Sequence, residues 1–253
     1  MLLDTYNIYK DINARTQGEI YIGVVGPVRS GKSTFIKHFA EKLILPFMEE
    51  GAGKERTKDE LPQSAAGRTV MTTEPKFIPR EACTITPVED VSMKIRLIDC
   101  VGFMIDGATG VVEEGKERLV KTPWYDYEIP FSEAAEFGTR KVIKDHSTVG
   151  IVMTTDGSIG ELPRDSYKAA EAATIDELKK IGKPFVVVVN SKNPLSKAAS
   201  DCVDEIKKTY GTEAVSLDCE HLTLVDVNRT LELLLNSFPV NGIEFYFDRW
   251  IET

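Results

Sequence analysis

The sequence predicts an α/β protein with a mostly parallel sheet and helices on both of its faces. Three observations carry that expectation. Short apolar runs of strand length alternate along the chain with stretches whose apolar residues recur at helical spacing, the order that builds parallel sheets from strand–helix–strand units. No internal repeat or low-complexity tract interrupts the alternation, and 253 residues suffice for one large domain or two small ones. The composition, 42% hydrophobic and 28% charged, is that of a folded chain and not of a disordered one.

A helical segment is expected over residues 1–18, a single nucleotide-binding domain over 19–239, and the cut-short start of a following domain over 240–253. EIYIGVV (19–25) reads as the first strand, ending at Gly26. Residues 32–45 follow as a helix, with Phe35, Phe39 and Leu43 on one face. The polar, glycine-containing stretch 46–75 reads as a long loop. A hairpin is expected from 83–86 and 92–98, the second run alternating in the manner of an edge strand. Residues 102–130 again read as loop, glycine-rich and then aromatic.

Residues 131–146 carry a helical stripe of Phe131, Ala134, Ala135, Gly138, Val142 and Ile143. Then come a strand over 148–154, a helix over 164–180 ended by Gly182, and the buried strand PFVVVVN at 184–190. A helix near 200–210, a short strand at 214–217 and a helix over 224–238 complete the order.

Thirty-one basic against forty acidic residues give a net charge of −9, which argues against a general nucleic-acid binder. No apolar run has the length of a membrane span, and the N-terminus lacks the order of a signal peptide. Four scattered cysteines without a CxxC pair point to a reducing cytosol.

GPVRSGKS (26–33) fits G-x-x-x-x-G-K-[ST] between a strand and a helix, where the phosphate-binding mechanism needs it. Gly26 and Gly31 let backbone N–H groups approach phosphate oxygens above the positive end of a helix dipole. Lys32 reaches the β- and γ-phosphates and the Ser33 hydroxyl suits Mg²⁺. Ser30 and Thr34 belong to the same cradle, and Arg29 is an accessory candidate. Asp99-Cys100-Val101-Gly102 ends an apolar strand as D-x-x-G: Asp99 suits the Mg²⁺ shell and the Gly102 N–H the γ-phosphate. In TVMTTEP (69–75), Thr72 and Thr73 are candidate γ-phosphate sensors, with Thr73 placed on the metal; a β-prone lead-in is the plainer alternative. The arrangement is a three-layer P-loop fold with the GTPase-like (TRAFAC-type) layout.

Two departures matter. Phe103 follows D-x-x-G, where a GTPase commonly has a glutamine that orients water. The guanine-reading N-K-x-D is replaced by Asn190-Ser191-Lys192-Asn193, which keeps Asn190 and Lys192 as candidate nucleotide contacts but removes the carboxylate that reads guanine. ATP is therefore expected over GTP. His38, His146 and His221 are solitary; the aromatics of TPWYDY anchor a loop; Glu113, Glu114, Lys116 and Glu117 read as a solvated face.

GVVGPVRSGKSTFIKHF, ELPQSAAGRTVMTTEPKFIP, IRLIDCVG, KTPWYDYEIPFSEAAEFGTRKVIKDHST and ITPVEDV together resemble the stage IV sporulation protein A family of endospore-forming bacteria, over about residues 8–239. The resemblance implies a GTPase-like fold turned to ATP, with Lys32 as Walker A lysine, Asp99 as Walker B aspartate, and Thr72 with Thr73 sensing the γ-phosphate. It also implies Mg²⁺-dependent ATP hydrolysis that drives self-assembly of a platform beneath the spore coat. Spore-coat proteins and a small membrane-bound anchor peptide are the implied partners, at the forespore surface in the mother-cell cytoplasm. Members of the family are longer, with middle and C-terminal regions used for polymer contacts and anchoring. A regulatory GTPase, and a binding module with incidental hydrolysis, stay open as alternatives.

Overall fold

The computed structural model describes residues 7–62, 74–105, 112–113 and 116–239. In chain order the elements are α1 (Ile8–Thr16), β1 (Glu19–Val25), α2 (Lys32–Phe39), α3 (Ala52–Glu60), β2 (Lys76–Val88), β3 (Val91–Asp99), β4 (Val112–Glu113), β5 (Lys116–Glu117), β6 (Leu119–Thr122) and β7 (Tyr125–Pro130). They continue as α4 (Phe131–Lys141), β8 (Val149–Thr155), α5 (Asp165–Ile181), β9 (Phe185–Asn190), α6 (Lys197–Tyr210), β10 (Ala214–Leu217) and α7 (Leu224–Asn236).

Six strands form one sheet in the order β10-β9-β8-β1-β3-β2. Every pairing is parallel except β2 with β3. The fold is thus the expected three-layer α/β P-loop domain, in GTPase-like strand order. Neighbouring residues of the central strands bury on opposite faces, which is why those strands read as unbroken apolar runs. Ile22, Val24, Ile151, Met153 and Val188 pack with Phe35 and Phe39 of α2, Ile12 of α1 and Leu231 and Leu234 of α7. On the other face Val25, Val152, Val187 and Val189 meet Val142 and Ile143, Ile175 and Leu178 of α5, and Cys202 and Ile206 of α6.

Several local expectations are corrected. Residues 46–75 are not all loop: α3 lies within them, with Thr57 its one buried residue, so it carries no apolar stripe to announce it. The first hairpin strand is β2, thirteen residues long. The strand expected at the edge, β3, lies between β1 and β2. Its alternation of buried Val91, Met93 and Ile95 with exposed Ser92 and Lys94 reports cover on one face, not edge position. The aromatic stretch after Gly102 contains the β6–β7 hairpin, with Thr122 opposite Tyr125. Trp124 and Tyr125 pack on the Phe137 ring of α4 at 5.1 and 5.4 Å. The two long helices expected at 32–45 and 131–146 both loosen into wider π turns, at Ala40–Ile44 and Val142–His146.

His38 pairs with Glu41, His221 with Asp218, and His146 lies edge-on to Phe77. Residues 240–253, expected as the start of a following domain, lie outside the described residues, as do residues 1–6 of the N-terminal segment. Among the described residues no helix is long and apolar enough to cross a membrane.

Candidate functional site

The carboxyl ends of β1, β3 and β9 meet at one edge of the sheet, where open α/β sheets place their ligands. The chain leaves β1 through Gly26 and enters α2 at Lys32, with Gly31 as the N-cap at φ 92°. A Cβ at Gly31 would lie 2.2 Å from Asn190 Nδ2, so the approach of the loop to the end of β9 requires glycine. Ser30 is fully buried and its hydroxyl donates to the Pro27 carbonyl at 2.9 Å. Arg29 is half-buried at φ 60°, and Thr34 is half-buried in the first turn of α2.

Lys32 is buried, and its ammonium donates to the carbonyls of Pro27 at 2.6 Å and Gly26 at 3.3 Å. Burial lowers its pKa, opposed by Cys100 and Asp99 beside it. Burial also pushes the Cys100 thiol up to about 11. The Ser33 hydroxyl donates to Asp99 Oδ2 at 2.7 Å, which ties the first turn of α2 to the end of β3. The other oxygen, Oδ1, is buried without a hydrogen-bond partner. Burial raises the Asp99 pKa, opposed by the Ser33 hydroxyl and then by Lys32. An acidic oxygen in that state has room for a donor or a cation.

After Asp99 the chain folds back onto the loop. The Phe103 N–H donates to the Gly26 carbonyl at 3.2 Å, and the Val28 N–H donates to the Phe103 carbonyl at 2.9 Å. Gly102 sits at φ 94°, and a Cβ there would lie 2.0 Å from the Gly26 carbonyl oxygen and 2.6 Å from Lys32 Nζ. Glycine at 102 is therefore a steric condition for closing D-x-x-G onto the cradle. Phe103 packs with Val28, Ile105, Tyr167 and Ala170, so this side chain locks the two loops together.

Asn190 spends its carboxamide inside the protein. Its Nδ2 donates to the Ser30 carbonyl at 3.2 Å, and its Oδ1 accepts from the Cys219 N–H at 3.2 Å. It thereby braces the loop against the ends of β9 and β10. Ser191 is buried, whereas Lys192 and Asn193 are exposed. The structure brings together Gly26, Arg29, Ser30, Gly31, Lys32, Ser33, Thr34, Asp99, Gly102 and Asn190, with Lys192 two residues beyond Asn190. Thr72 and Thr73 lie outside the described residues, as does Thr69.

Sequence reasoning missed a buried ion pair beside the site. Arg164 donates to both carboxylate oxygens of Glu171, at 2.5 and 2.8 Å, and to Thr154 Oγ1 at 3.0 Å. It anchors the chain that leaves β8, and seven-residue spacing between an arginine and a glutamate carries no recognisable motif.

Residues 3–239 match the family described as Stage IV sporulation protein A, ATPase domain. The chain belongs to that family. It is 47% identical over 246 residues to Stage IV sporulation protein A of Clostridioides difficile (strain 630), covering 97% of this chain and 50% of that protein. Its likeness to the proteins of that name from Bacillus anthracis and Bacillus subtilis (strain 168) is 46% and 45% over 249 residues, covering 98% of this chain and 51% of each. The chain thus spans about half the length of these relatives. Among solved structures it is similar to a dimerization-deficient mutant of Toc33 from Arabidopsis thaliana, with TM-score 0.49 and 11% identity, covering 91% of this chain and 88% of that one.

Proposed function

We propose that this chain binds ATP with Mg²⁺ at the cradle and hydrolyses it. The carrying observation is Asp99: Ser33 lies 2.7 Å from one of its oxygens while the other is buried and unpartnered, next to a buried lysine. A hydroxyl and a carboxylate are hard oxygen donors, so the set fits Mg²⁺. Mg²⁺, when bound, supplies Lewis-acid stabilisation of phosphate charge. Lys32 donates to the β- and γ-phosphates, and the loop amides and the α2 dipole hold the rest of the chain of phosphates. Gly102, held against Gly26, offers its N–H to the γ-phosphate. Thr72 and Thr73 close over the γ-phosphate and place the water, a task the buried Phe103 cannot perform.

Ser191 and Asn193 favour ATP over GTP, because an amide cannot give the charge-assisted pairing of a carboxylate with guanine. In the longer proteins of the family the cycle drives self-assembly of a scaffold beneath the spore coat, at the forespore surface in the mother cell. Spore-coat proteins and a small membrane-bound anchor peptide are the partners there. The family membership supports that reading.

Asp99→Asn tests it. The asparagine keeps an acceptor for Ser33 but offers a poorer oxygen to a cation. Turnover of ATP is expected to fall about 10²-fold, about 2.7 kcal/mol, and added Mg²⁺ should no longer tighten ATP binding. Because the folded-state pKa of Asp99 is raised, the native state disfavours its charge. The stabilisation tied to its protonation is complete below the ordinary carboxylate value and is lost as pH rises through the raised one. At pH 7 without nucleotide the variant should therefore melt no lower than the parent. Parental turnover with intact Mg²⁺ dependence would remove Asp99 from the site.

A further inference from the structure

Thr155, the last residue of β8, pairs with Asn190, the last residue of β9. The loops leaving the two strands therefore start side by side, Asp156 opening one and Ser191 the other. The Ser191 hydroxyl donates to Asp156 Oδ2 at 2.6 Å. Asp156 Oδ1 accepts from the Ser158 N–H at 2.9 Å and from the Ser158 hydroxyl at 2.6 Å. Each serine oxygen then accepts a backbone N–H from the second loop: Asn193 to Ser191 Oγ at 3.1 Å, and Lys192 to Ser158 Oγ at 3.0 Å. One carboxylate thus fixes two successive peptide groups through two hydroxyls. A hydroxyl that donates to an anion is also the better acceptor, so the two tiers reinforce each other.

The loop that carries Asp156 is itself held at several points. The Gly157 N–H donates to Thr155 Oγ1 at 3.0 Å. At its far end Arg164 is clamped to Glu171 and Thr154. Ile159 Cδ1 would lie 3.8 Å from a Cβ on Gly31, so the same loop also runs beside the phosphate cradle. Nothing in this scheme relies on the lysine and aspartate that N-K-x-D loops use.

We infer that Asp156 is the positioning residue of the base-binding loop, its carboxylate holding the backbone of residues 191–193 in the arrangement that meets the adenine ring. This rests on the nucleotide reading above. The N–H groups of Ser191, Lys192 and Asn193 are already spent on the Leu217 carbonyl, Ser158 Oγ and Ser191 Oγ, so the loop reads the base with a carbonyl oxygen. Fixed beforehand, that oxygen accepts from the amino group of adenine and finds no donor at the matching oxygen of guanine. Side-chain charge is then unnecessary at positions 191 and 193, where the chain has Ser and Asn.

The test uses this chain, ATP, GTP, and inorganic tripolyphosphate as a competitor that carries the phosphates but no base. For Asp156→Asn we expect KM for ATP to rise about tenfold, kcat to stay within about twofold, and the preference for ATP over GTP to shrink. The inhibition constant of tripolyphosphate should not change. Ser191→Ala removes the relay from the other side with the carboxylate retained, and should raise KM for ATP in the same sense by about threefold. It carries the test alone if Asp156→Asn does not fold. An unchanged KM for ATP in both variants would overturn the inference, as would equal losses of ATP and tripolyphosphate affinity, which would mark a general loosening. If the parent binds ATP no better than tripolyphosphate, the nucleotide reading itself fails and takes the inference with it. Discrimination in the parent that survives in both variants sinks the inference alone.

Discussion

Lys32→Ala is expected to remove most triphosphate affinity, on the order of 10²- to 10³-fold, or about 2.7–4 kcal/mol. The ammonium is buried at the base of the cradle, 2.6 Å from one loop carbonyl and 3.3 Å from another. A full charge in that setting is screened little by solvent, so its hydrogen bonds to phosphate oxygens exceed those of a surface lysine. Arg29, the other cation of the loop, is half-buried on the turn before the helix and does not replace it. Burial already lowers the Lys32 pKa, and a bound triphosphate would raise it again, so ATP binding should take up protons at alkaline pH. Titration calorimetry in two buffers of different ionisation heat measures both effects. Parental affinity in the variant would mean that the loop is not the phosphate site.

Replacing Thr72 and Thr73 together with Ala is expected to lower turnover roughly 10²-fold, about 2.7 kcal/mol, with a much smaller loss of triphosphate affinity. In the proposed function ground-state binding belongs to Lys32 and the loop amides, whereas a residue that closes over the γ-phosphate adds most in the transition state. Lys76 opens β2 directly opposite Asp99, and Thr73 precedes Lys76 by three positions in the sequence. Thr69→Ala is the control. Equal effects at all three positions would favour the β-prone lead-in, and parental turnover in the double variant would place the sensor elsewhere.

The parts of the fold that sequence reading reached are those coded by neighbours along the chain. The cradle was legible because two glycines, a lysine and a serine must stand at fixed spacing between a strand and a helix. The buried strands were legible because both of their faces are covered. What escaped depends on partners far apart in sequence, or on weak local patterns. β3 was misplaced because one covered face and an edge position give the same alternation. α3 was missed because AGKERTKDE buries only Thr57. The β6–β7 hairpin was missed because its aromatics face a helix that follows it in the chain. At the site, Asn190 was read as a nucleotide contact, and the structure gives its amide a bracing task between the loop and β10. Asp156 had no signal of its own, since its two serine partners become a network only when β8 and β9 lie side by side.

The most direct test of the central claim is steady-state phosphate release by this chain with ATP or GTP, each with and without Mg²⁺. With Ser191 and Asn193 in place of the lysine and aspartate of N-K-x-D, the loop would forfeit a charge-assisted guanine contact worth about 1.5–3 kcal/mol. The expected result is Mg²⁺-dependent turnover of ATP that exceeds turnover of GTP and disappears in Lys32→Ala. Release that is absent with ATP and Mg²⁺, or faster with GTP than with ATP, would contradict it.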